Sequence, residues 1–279
     1  MIVYEYVMKC DTGFAPNPFY GTCTLACCKP RIRKGIKNYL YEKVKENIKE
    51  RIKLERKKQT VRIKKEVIDQ KWEGFLKSNL EVLSELGCAS KEEFITKQDI
   101  FVIGLAGKSL LPRLGREKEE KLPMVYVMRV TDILTYDQYY KAGKYEKKKP
   151  RKFNVHDANN NSNIVYCGDN IYSKGKLAVE SSFHHENGIT NKKNLKTDLF
   201  GECVLLSSQG NYIYYGQHAD GETDIGEVYR YAGHKRFYFN NNSDENKKLK
   251  NFISGFDAIE KKGIIAPPIN SKIRMEDII

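Results

Sequence analysis

The residues best suited to chemistry are concentrated between residues 10 and 35, in the stretch CDTGFAPNPFYGTCTLACCKPRIRKG. Four cysteines, an Asn between two prolines, and a run of Lys and Arg follow one another there. Such a stretch could form a metal site, a reactive thiol, or a loop that holds an anion. The spacing of the side chains separates these possibilities.

The cysteines do not have the spacing of a zinc site. Cys23 and Cys27 lie four positions apart and Cys28 is adjacent, with no Cys-x-x-Cys pair and no second Cys or His pair at zinc-finger spacing. The cations Lys29, Arg31 and Arg33 could lower the thiol pKa of Cys27 or Cys28. Burial as small apolar groups is the simpler explanation for most of the cysteines. We therefore predict no metal site.

The basic run favours an anion. Lys29, Arg31 and Arg33 occupy alternating positions after a proline-restricted turn, so their side chains could project together, and guanidinium groups match phosphate geometry. Asn17, held between two prolines, could read the edge of a base, and Phe14 could stack on its ring. We predict that these five residues bind a nucleotide.

Two later turns contain further polar groups. The motif CGDNIY contributes Asp169, Asn170 and Tyr172, and the motif ESSFHHENG contributes Ser182 and His184. A histidine near its ordinary pKa can act as a general acid or base, but a hydrogen-bonded loop histidine is an equally good explanation. Asn170, Tyr172 and Ser182 are predicted to bind the nucleotide.

Three residues are the candidates for proton transfer, should the protein catalyse a reaction: Asp11, Asp169 and His184. No G-x-S-x-G elbow, P-loop or G-x-G-x-x-G fingerprint accompanies them. The residues therefore do not decide between an enzyme and a binding protein, and they identify no cofactor.

Bulk composition points to an anionic partner. The 279 residues carry a formal net charge of +13, although a lysine-rich composition alone could account for part of this excess. No run of eighteen apolar residues predicts a membrane span. Seven cysteines without a disulfide-scaffold pattern indicate reduced thiols, so we predict a cytoplasmic protein.

The alternation of residue types predicts an α+β fold. Its sheet would be mixed or mainly antiparallel, and an amphipathic helical segment would interrupt it. The segment 147–163 reads as a loop. Strands are expected at 2–8, 99–107, 124–134, 164–167, 203–208 and 211–216, and helices at about 34–86, after Ser90, after Thr135 and near 249–259.

Taken in order, the motifs DTGFAPNPFYGTCTLACCKPRIR, DIFVIG, VYVMRVTDILTYDQYY, KKKP, GDNIY, SSFHHENG and CVLLSS resemble the nucleotide modification associated domain, second type. The resemblance covers residues 1–37 and about 97–268. It implies one domain over 1–268, with a helical insertion at about 38–96 and a loose tail at 269–279. The chain is also loosely similar to PUA and EVE domains, small β-barrels that bind modified nucleosides.

The resemblance implies a function connected with DNA base modification in phages and bacteria. The partner would be DNA or a nucleotide held in a basic cleft, where the protein would bind the modified base and could catalyse the modification. The alternative is a non-catalytic reader of modified DNA in a restriction or phage-defence system. The oligomeric state is not predicted.

Overall fold

The computed structural model of the protein describes residues 1–55, 63–116, 122–156, 162–180, 185–186, 189–219, 234–238, 247–271, 273 and 276. The fold is α+β, as predicted. The strands are β1 Ile2–Met8, β2 Thr22–Leu25, β3 Ile100–Ala106, β4 Met124–Arg129, β5 Asp132–Leu134, β6 Arg151–His156, β7 Ser162–Cys167, β8 Tyr172–Ser173, β9 Lys176–Leu177, β10 His185–Glu186, β11 Ile189–Thr190, β12 Val204–Ser208, β13 Tyr212–Tyr214, β14 His234–Tyr238 and β15 Gly263–Ile264.

The helices flank these strands. The α-helices are α1 Pro30–Glu55, α2 Lys65–Leu76, α3 Leu80–Glu85, α4 Lys91–Thr96, α5 Tyr136–Lys141, α6 Lys192–Leu199 and α7 Lys247–Ser254. Short 3-10 helices span Leu111–Leu114, Gly143–Lys148, Gly216–His218 and Phe256–Ala258.

A six-stranded mixed sheet, ordered β14-β1-β3-β4-β13-β15, forms the centre of the molecule. β1 and β3 run parallel, with Ile2 opposite Ile100, whereas β3 and β4 are antiparallel. β3 is buried along its whole length, because apolar side chains cover both of its faces. Within the described residues the two outer strands of this sheet do not pair with each other, so the sheet is open.

A second sheet has the order β2-β12-β5. Its strand β2 connects the N-terminal loop to α1. Beside it, β6 and β7 form a hairpin in which Arg151 lies opposite Cys167. The segment 147–163, expected to be a loop, therefore contains a strand. The Asn-rich residues 157–161, which suggested the loop, lie outside the described part of the chain.

The expected helical region is present, and it begins earlier than the sequence indicated. Pro30 starts α1, in the first-turn position where a proline costs no backbone hydrogen bond. Ile36, Leu40, Val44 and Ile48 recur every four residues and are buried. Residues 56–62, between α1 and α2, lie outside the described residues.

Local capping explains where the shorter helices start. The Ser90 hydroxyl accepts from the Glu93 N–H at the start of α4, and Thr135 forms a capping box with Gln138 at the start of α5. Both starts agree with the sequence prediction. None of the helices in the described residues is both long enough and apolar enough to cross a membrane.

Candidate functional site

The N-terminal loop and the Gly-Asp-Asn turn meet at Asp169. Its carboxylate accepts hydrogen bonds from the Asn17 side-chain amide at 3.0 Å, the Thr24 hydroxyl at 2.5 Å and the Tyr139 hydroxyl at 3.0 Å. Asn17 and Thr24 also pair through their backbones, at 2.8 and 2.9 Å. Two turns that both contain predicted site residues, and that are separated by about half the chain, are thus joined.

Lys148 balances the charge of this group. Its ammonium donates to the backbone carbonyls of Thr22 and Asn17, at 2.7 and 3.0 Å, and to the Thr24 hydroxyl at 3.2 Å. Burial lowers the pKa of Lys148 to about 8, although the nearby Asp169 carboxylate opposes that shift. Burial also raises the pKa of Asp169, and Lys148 opposes it.

We call Asn17, Thr24, Tyr139, Lys148 and Asp169 the polar network. Every one of its side chains is buried, with relative exposures of 0 to 1%. Its oxygens and nitrogens are occupied by one another, so it forms a filled interior and not the basic cleft that the resemblance implies. In this structure the network fixes the N-terminal loop against β2 and α5.

Arg33 is a second enclosed group. Its guanidinium donates to the backbone carbonyls of Cys28 at 2.9 Å, Cys203 at 2.7 Å and Asp198 at 2.8 Å, and it also contacts the Tyr136 hydroxyl. The expected joint projection of the three basic residues fails for Arg33. Helix formation from Pro30 turns alternate residues to different faces, so Arg31 is exposed while Arg33 is buried.

The remaining enclosed candidates pack among neighbours from the same chain. Tyr172 donates to the Asp198 carboxylate at 2.8 Å. The Asn170 amide donates to the carbonyls of Tyr139 and Tyr145, at 3.1 and 3.2 Å. Phe14 belongs to a small apolar cluster with Phe19, Phe153, Cys167 and Ile273. Their binding roles therefore remain predictions, since protein atoms occupy their surroundings.

Asp11 fastens the C-terminal segment to the N-terminal loop. Its buried carboxylate accepts from the Tyr214 hydroxyl and, at 2.9 Å, from the Ile269 N–H. The Asp11 backbone exchanges hydrogen bonds with Asn270, at 2.7 and 2.8 Å. Burial raises the pKa of Asp11. Ile269 and Asn270, the first residues of the expected loose tail, are consequently held in place.

Neither of the two adjacent cysteines is activated. Desolvation by surrounding protein atoms, followed by the Asp198 carboxylate, raises the pKa of the buried Cys27 thiol, and the same two causes raise the pKa of the surface residue Cys28 to about 11. Neighbouring cations could have lowered the thiol pKa, but desolvation and the Asp198 charge outweigh their effect. Among the described residues, no group of three or more His, Cys, Asp or Glu side chains is placed to hold a metal ion.

Ser182 and His184 lie outside the described residues, so their predicted roles stay predictions. The adjacent residue His185 opens β10, which pairs with β11 through Thr190.

Lys29 and Arg31 are the candidates that reach the surface, and the Lys29 side chain does so near the carboxyl end of β1. Lys29 is partly buried there: its ammonium donates to the Val7 carbonyl at 3.3 Å and lies 4.2 Å from the centre of the Tyr6 ring. Burial lowers the pKa of Lys29, and the charge of Lys9 lowers it further. Arg31 follows in the exposed first turn of α1. Both residues retain N–H donors that no other described residue accepts from.

Three further cations lie at the same place and were missed from the sequence. Lys9 follows β1, Lys108 follows β3, and Arg113 lies on the next 3-10 helix; all three are exposed. The Ser109 hydroxyl donates to the Lys9 carbonyl at 2.6 Å, which draws the two loops together. Burial raises the pKa of the Cys10 thiol, and the Arg113 charge partly offsets that rise.

Close approach of the two loops depends on Gly107. Its N–H donates to the Met8 carbonyl at 2.9 Å, and a Cβ at this position would lie only 2.6 Å from that oxygen. We call Lys9, Lys29, Arg31, Lys108 and Arg113 the basic edge. None of the five has a carboxylate ion-pair partner among the described residues. The positions of Lys9 and Lys108, just after two predicted strands, could have revealed the basic edge, because ligands bind beyond the carboxyl ends of parallel strands.

The described residues thus combine an α+β core with a group of cations that have no carboxylate ion-pair partner among them. The model of the family nucleotide modification associated domain 2 matches residues 1–38 and 88–275, and the chain belongs to that family. The match omits residues 39–87, which contain most of α1, α2 and α3. No curated protein and no solved structure matches the chain significantly.

Proposed function

We propose that the protein binds a nucleotide or DNA that carries a modified base, and that the basic edge holds the phosphates. The observation that carries this proposal is the grouping of five cations without carboxylate partners in the described chain. Family membership and the net charge of +13 support it. Cations that lie unpaired beyond the carboxyl ends of strands are available to an external phosphate.

The cations have distinct tasks in this proposal. Arg31 and Arg113 provide planar guanidinium groups, which bind a phosphate through two hydrogen bonds. Lys29 is the most constrained of the five, since Val7 and Tyr6 hold its ammonium. It is therefore the group best positioned to fix where the first phosphate lies.

Binding without catalysis is favoured over base modification. Asp11 and Asp169, two of the three candidate proton carriers, are enclosed, and donors from the same chain occupy their oxygens. A general acid or base must come within hydrogen-bond distance of its substrate. The reader hypothesis is thus preferred, and His184 is the remaining candidate for the catalytic alternative.

Fluorescence anisotropy with labelled DNA duplexes tests the proposal. One duplex contains plain cytosine and the other contains hydroxymethylcytosine, and both are titrated at several salt concentrations. We expect binding that weakens with salt and is tighter for the modified duplex, because phosphate contacts set affinity and base contacts set preference. Absence of binding at low salt would exclude the proposal.

Paired variants locate the site. Lys29→Ala and Arg31→Ala should each weaken binding and reduce the slope of log K against log salt by about 1. Lys176→Ala is the matched control, since Lys176 is an exposed lysine on β9, outside the basic edge. Equal losses in the control and the edge variants would show that the positive charge acts without a defined site.

Mass spectrometry of nucleotides and DNA after incubation separates the two functions. A reader leaves every mass unchanged, whereas an enzyme produces a shifted product. A shift that His184→Ala abolishes would establish the catalytic alternative.

A further inference from the structure

An exposed aromatic ring lies at the end of α6. Phe200 follows the last residue of that helix and keeps helical backbone angles, with φ −59° and ψ −23°. Its relative exposure is 52%, whereas Phe14, which the sequence suggested for stacking on a base, is buried in an apolar cluster. Among the aromatic side chains that the structure describes, Phe200 is the one that is exposed. A single exposed apolar residue carries no meaning by itself, so its surroundings decide its role.

Lys34 of α1 orients this ring. Its ammonium lies 4.6 Å from the ring centre, a cation–π contact. The Glu202 carboxylate contacts the same ammonium and also accepts from Lys37 at 2.8 Å. Two cations thus share one carboxylate, and the group keeps a positive charge. The chain therefore holds the ring in place while about half of the residue stays open to solvent.

Two lysines lie on the same face of α6 as Phe200. Seven helical residues turn through about 700°, so Lys193 lies within about 20° of Phe200 around the helix. Lys196, four residues before the ring, lies within about 40° of it. Both lysines are exposed, and neither has a carboxylate ion-pair partner in the part of the chain that the structure describes. Their ammonium groups are therefore available beside the ring.

α6 is fastened to the start of α1, where the basic edge begins. The Asp198 carboxylate accepts from the Cys28 N–H at 2.7 Å. Arg31 of the basic edge precedes Lys34 by three residues, so the two side chains are about 60° apart around α1 and neighbours along it. The cations of the basic edge therefore continue through Lys34 to the Phe200 ring.

Cations that surround an exposed ring suit one kind of ligand. Proteins that bind single-stranded nucleic acid combine a positively charged track for the phosphates with aromatic side chains on which bases stack. In a duplex, neighbouring base pairs cover the faces of each base, so a protein ring reaches a face only when the base is unstacked. An apolar protein partner would instead bury the ammonium groups around Phe200 without a counter-charge.

We propose that Phe200 stacks on an unpaired base of a DNA single strand whose phosphates lie along the basic edge and α6. This inference rests on the proposed function and specifies the form in which the DNA is bound. Arg31 binds a phosphate on one side of the stacked base, and Lys193 and Lys196 bind phosphates on the other side. The ring accepts every base, because every base has a π-face.

Fluorescence anisotropy with a labelled single strand and with its duplex tests the stacking. We expect the parent protein to bind the single strand more tightly than the duplex at the same salt concentration. Phe200→Ala should weaken single-strand binding about tenfold, the loss of one stacked base, and leave duplex binding unchanged. Phe200→Tyr should keep the parent's affinity, since its ring also stacks. Leu80→Ala is the matched control, because Leu80 is an exposed apolar residue on α3, and circular dichroism melting verifies that each variant is folded.

Tryptophan fluorescence reports the contact directly. Phe200→Trp places an indole at the surface, whereas the one tryptophan of the parent chain, Trp72, is buried. A stacked base should quench the fluorescence of the new indole. A strand of the same length built from abasic sugar-phosphates should not quench it. The parent protein titrated with the same two strands is the control for Trp72.

Salt titrations locate the phosphates on α6. Lys193→Ala and Lys196→Ala should each reduce the slope of log K against log salt for the single strand by about 0.7, the share of one phosphate contact. Lys250→Ala, at an exposed lysine of α7, is the matched control and should leave the slope unchanged.

The stacking and the proposed function fail in different ways. Equal affinity of the parent for single strand and duplex, or an unchanged single-strand affinity in Phe200→Ala, would overturn the stacking and leave the phosphate contacts of the basic edge in place. Quenching of the Phe200→Trp indole by the abasic strand would also overturn it. Absence of binding to either DNA at low salt would overturn the proposed function, and the stacking with it.

Discussion

The polar network and the basic edge use the same kinds of side chain for opposite purposes. Lys148 in the network makes hydrogen bonds to the chain's own carbonyls and faces the Asp169 carboxylate. Lys108 at the edge has no carboxylate ion-pair partner among the described residues. The comparison teaches that a lysine's role depends on whether the chain itself supplies its acceptors. The network stabilises the fold, and the edge remains available to a ligand.

The largest loss of stability is expected when the buried cation of the polar network is removed. Lys148→Met should lower the free energy of unfolding by about 3–5 kcal/mol, because it leaves the buried Asp169 charge without its compensating partner. Chemical denaturation monitored by circular dichroism measures the loss. Lys108→Met is the matched control, and comparable losses in both variants would eliminate the distinction between the two regions.

Arg33 offers a second test of the same distinction. Arg33→Lys should cost about 2–3 kcal/mol, since an ammonium cannot reach the Cys28, Cys203 and Asp198 carbonyls together. Arg31→Lys, two positions away in the same helical turn, should change stability by less than about 0.5 kcal/mol. If Arg33→Lys is as mild as its neighbour, the enclosed guanidinium is not a stabilising group.

The pH dependence of stability sharpens the comparison further. The pKa of Lys148 is about 8 in the folded protein, below its ordinary value of 10.5, so the unfolded chain binds more protons between those values. The Lys148 contribution to stability should therefore rise as pH rises through this window. We expect the deficit of Lys148→Met to widen by about 1 kcal/mol between about pH 8 and 9. Denaturation at several pH values measures it, and a constant or narrowing deficit would contradict the assignment.

The smallest change in stability is predicted at the basic edge. Lys108→Met should leave the free energy of unfolding within about 0.5 kcal/mol of the parent, because the side chain is exposed. The same variant should reduce the salt slope of DNA binding by about 1. An unchanged slope would remove Lys108 from the proposed site without affecting the fold.

Local signals made much of the fold predictable. The apolar runs that gave β1 and β3, and the hydroxyl caps at Ser90 and Thr135, depend on residues close together in the sequence. One long apolar run is predicted as a single strand, and that prediction is wrong: residues 124–134 form two strands, β4 and β5, which belong to different sheets.

Burial of charged side chains could not be predicted in the same way. Arg33 and Lys148 are types that usually lie on the surface, and their partners come from positions such as Asp198 and Thr22, far away in the sequence. Arg33 was also misplaced because the helix start at Pro30 was expected four residues later. The contact between Asn17 and Asp169, 152 residues apart, and the tight packing around it likewise depend on tertiary structure that no local pattern encodes.

Helix α1 joins the basic edge to the part of the chain that the family match omits. It begins at the basic edge with Arg31 and ends beside Leu54, and its 26 residues form one uninterrupted rod about 39 Å long. Because successive helical residues rotate by about 100°, inserting or deleting residues along α1 would turn its far end around the helix axis as well as shift it. The length of α1 therefore fixes both the distance and the rotation between its two ends.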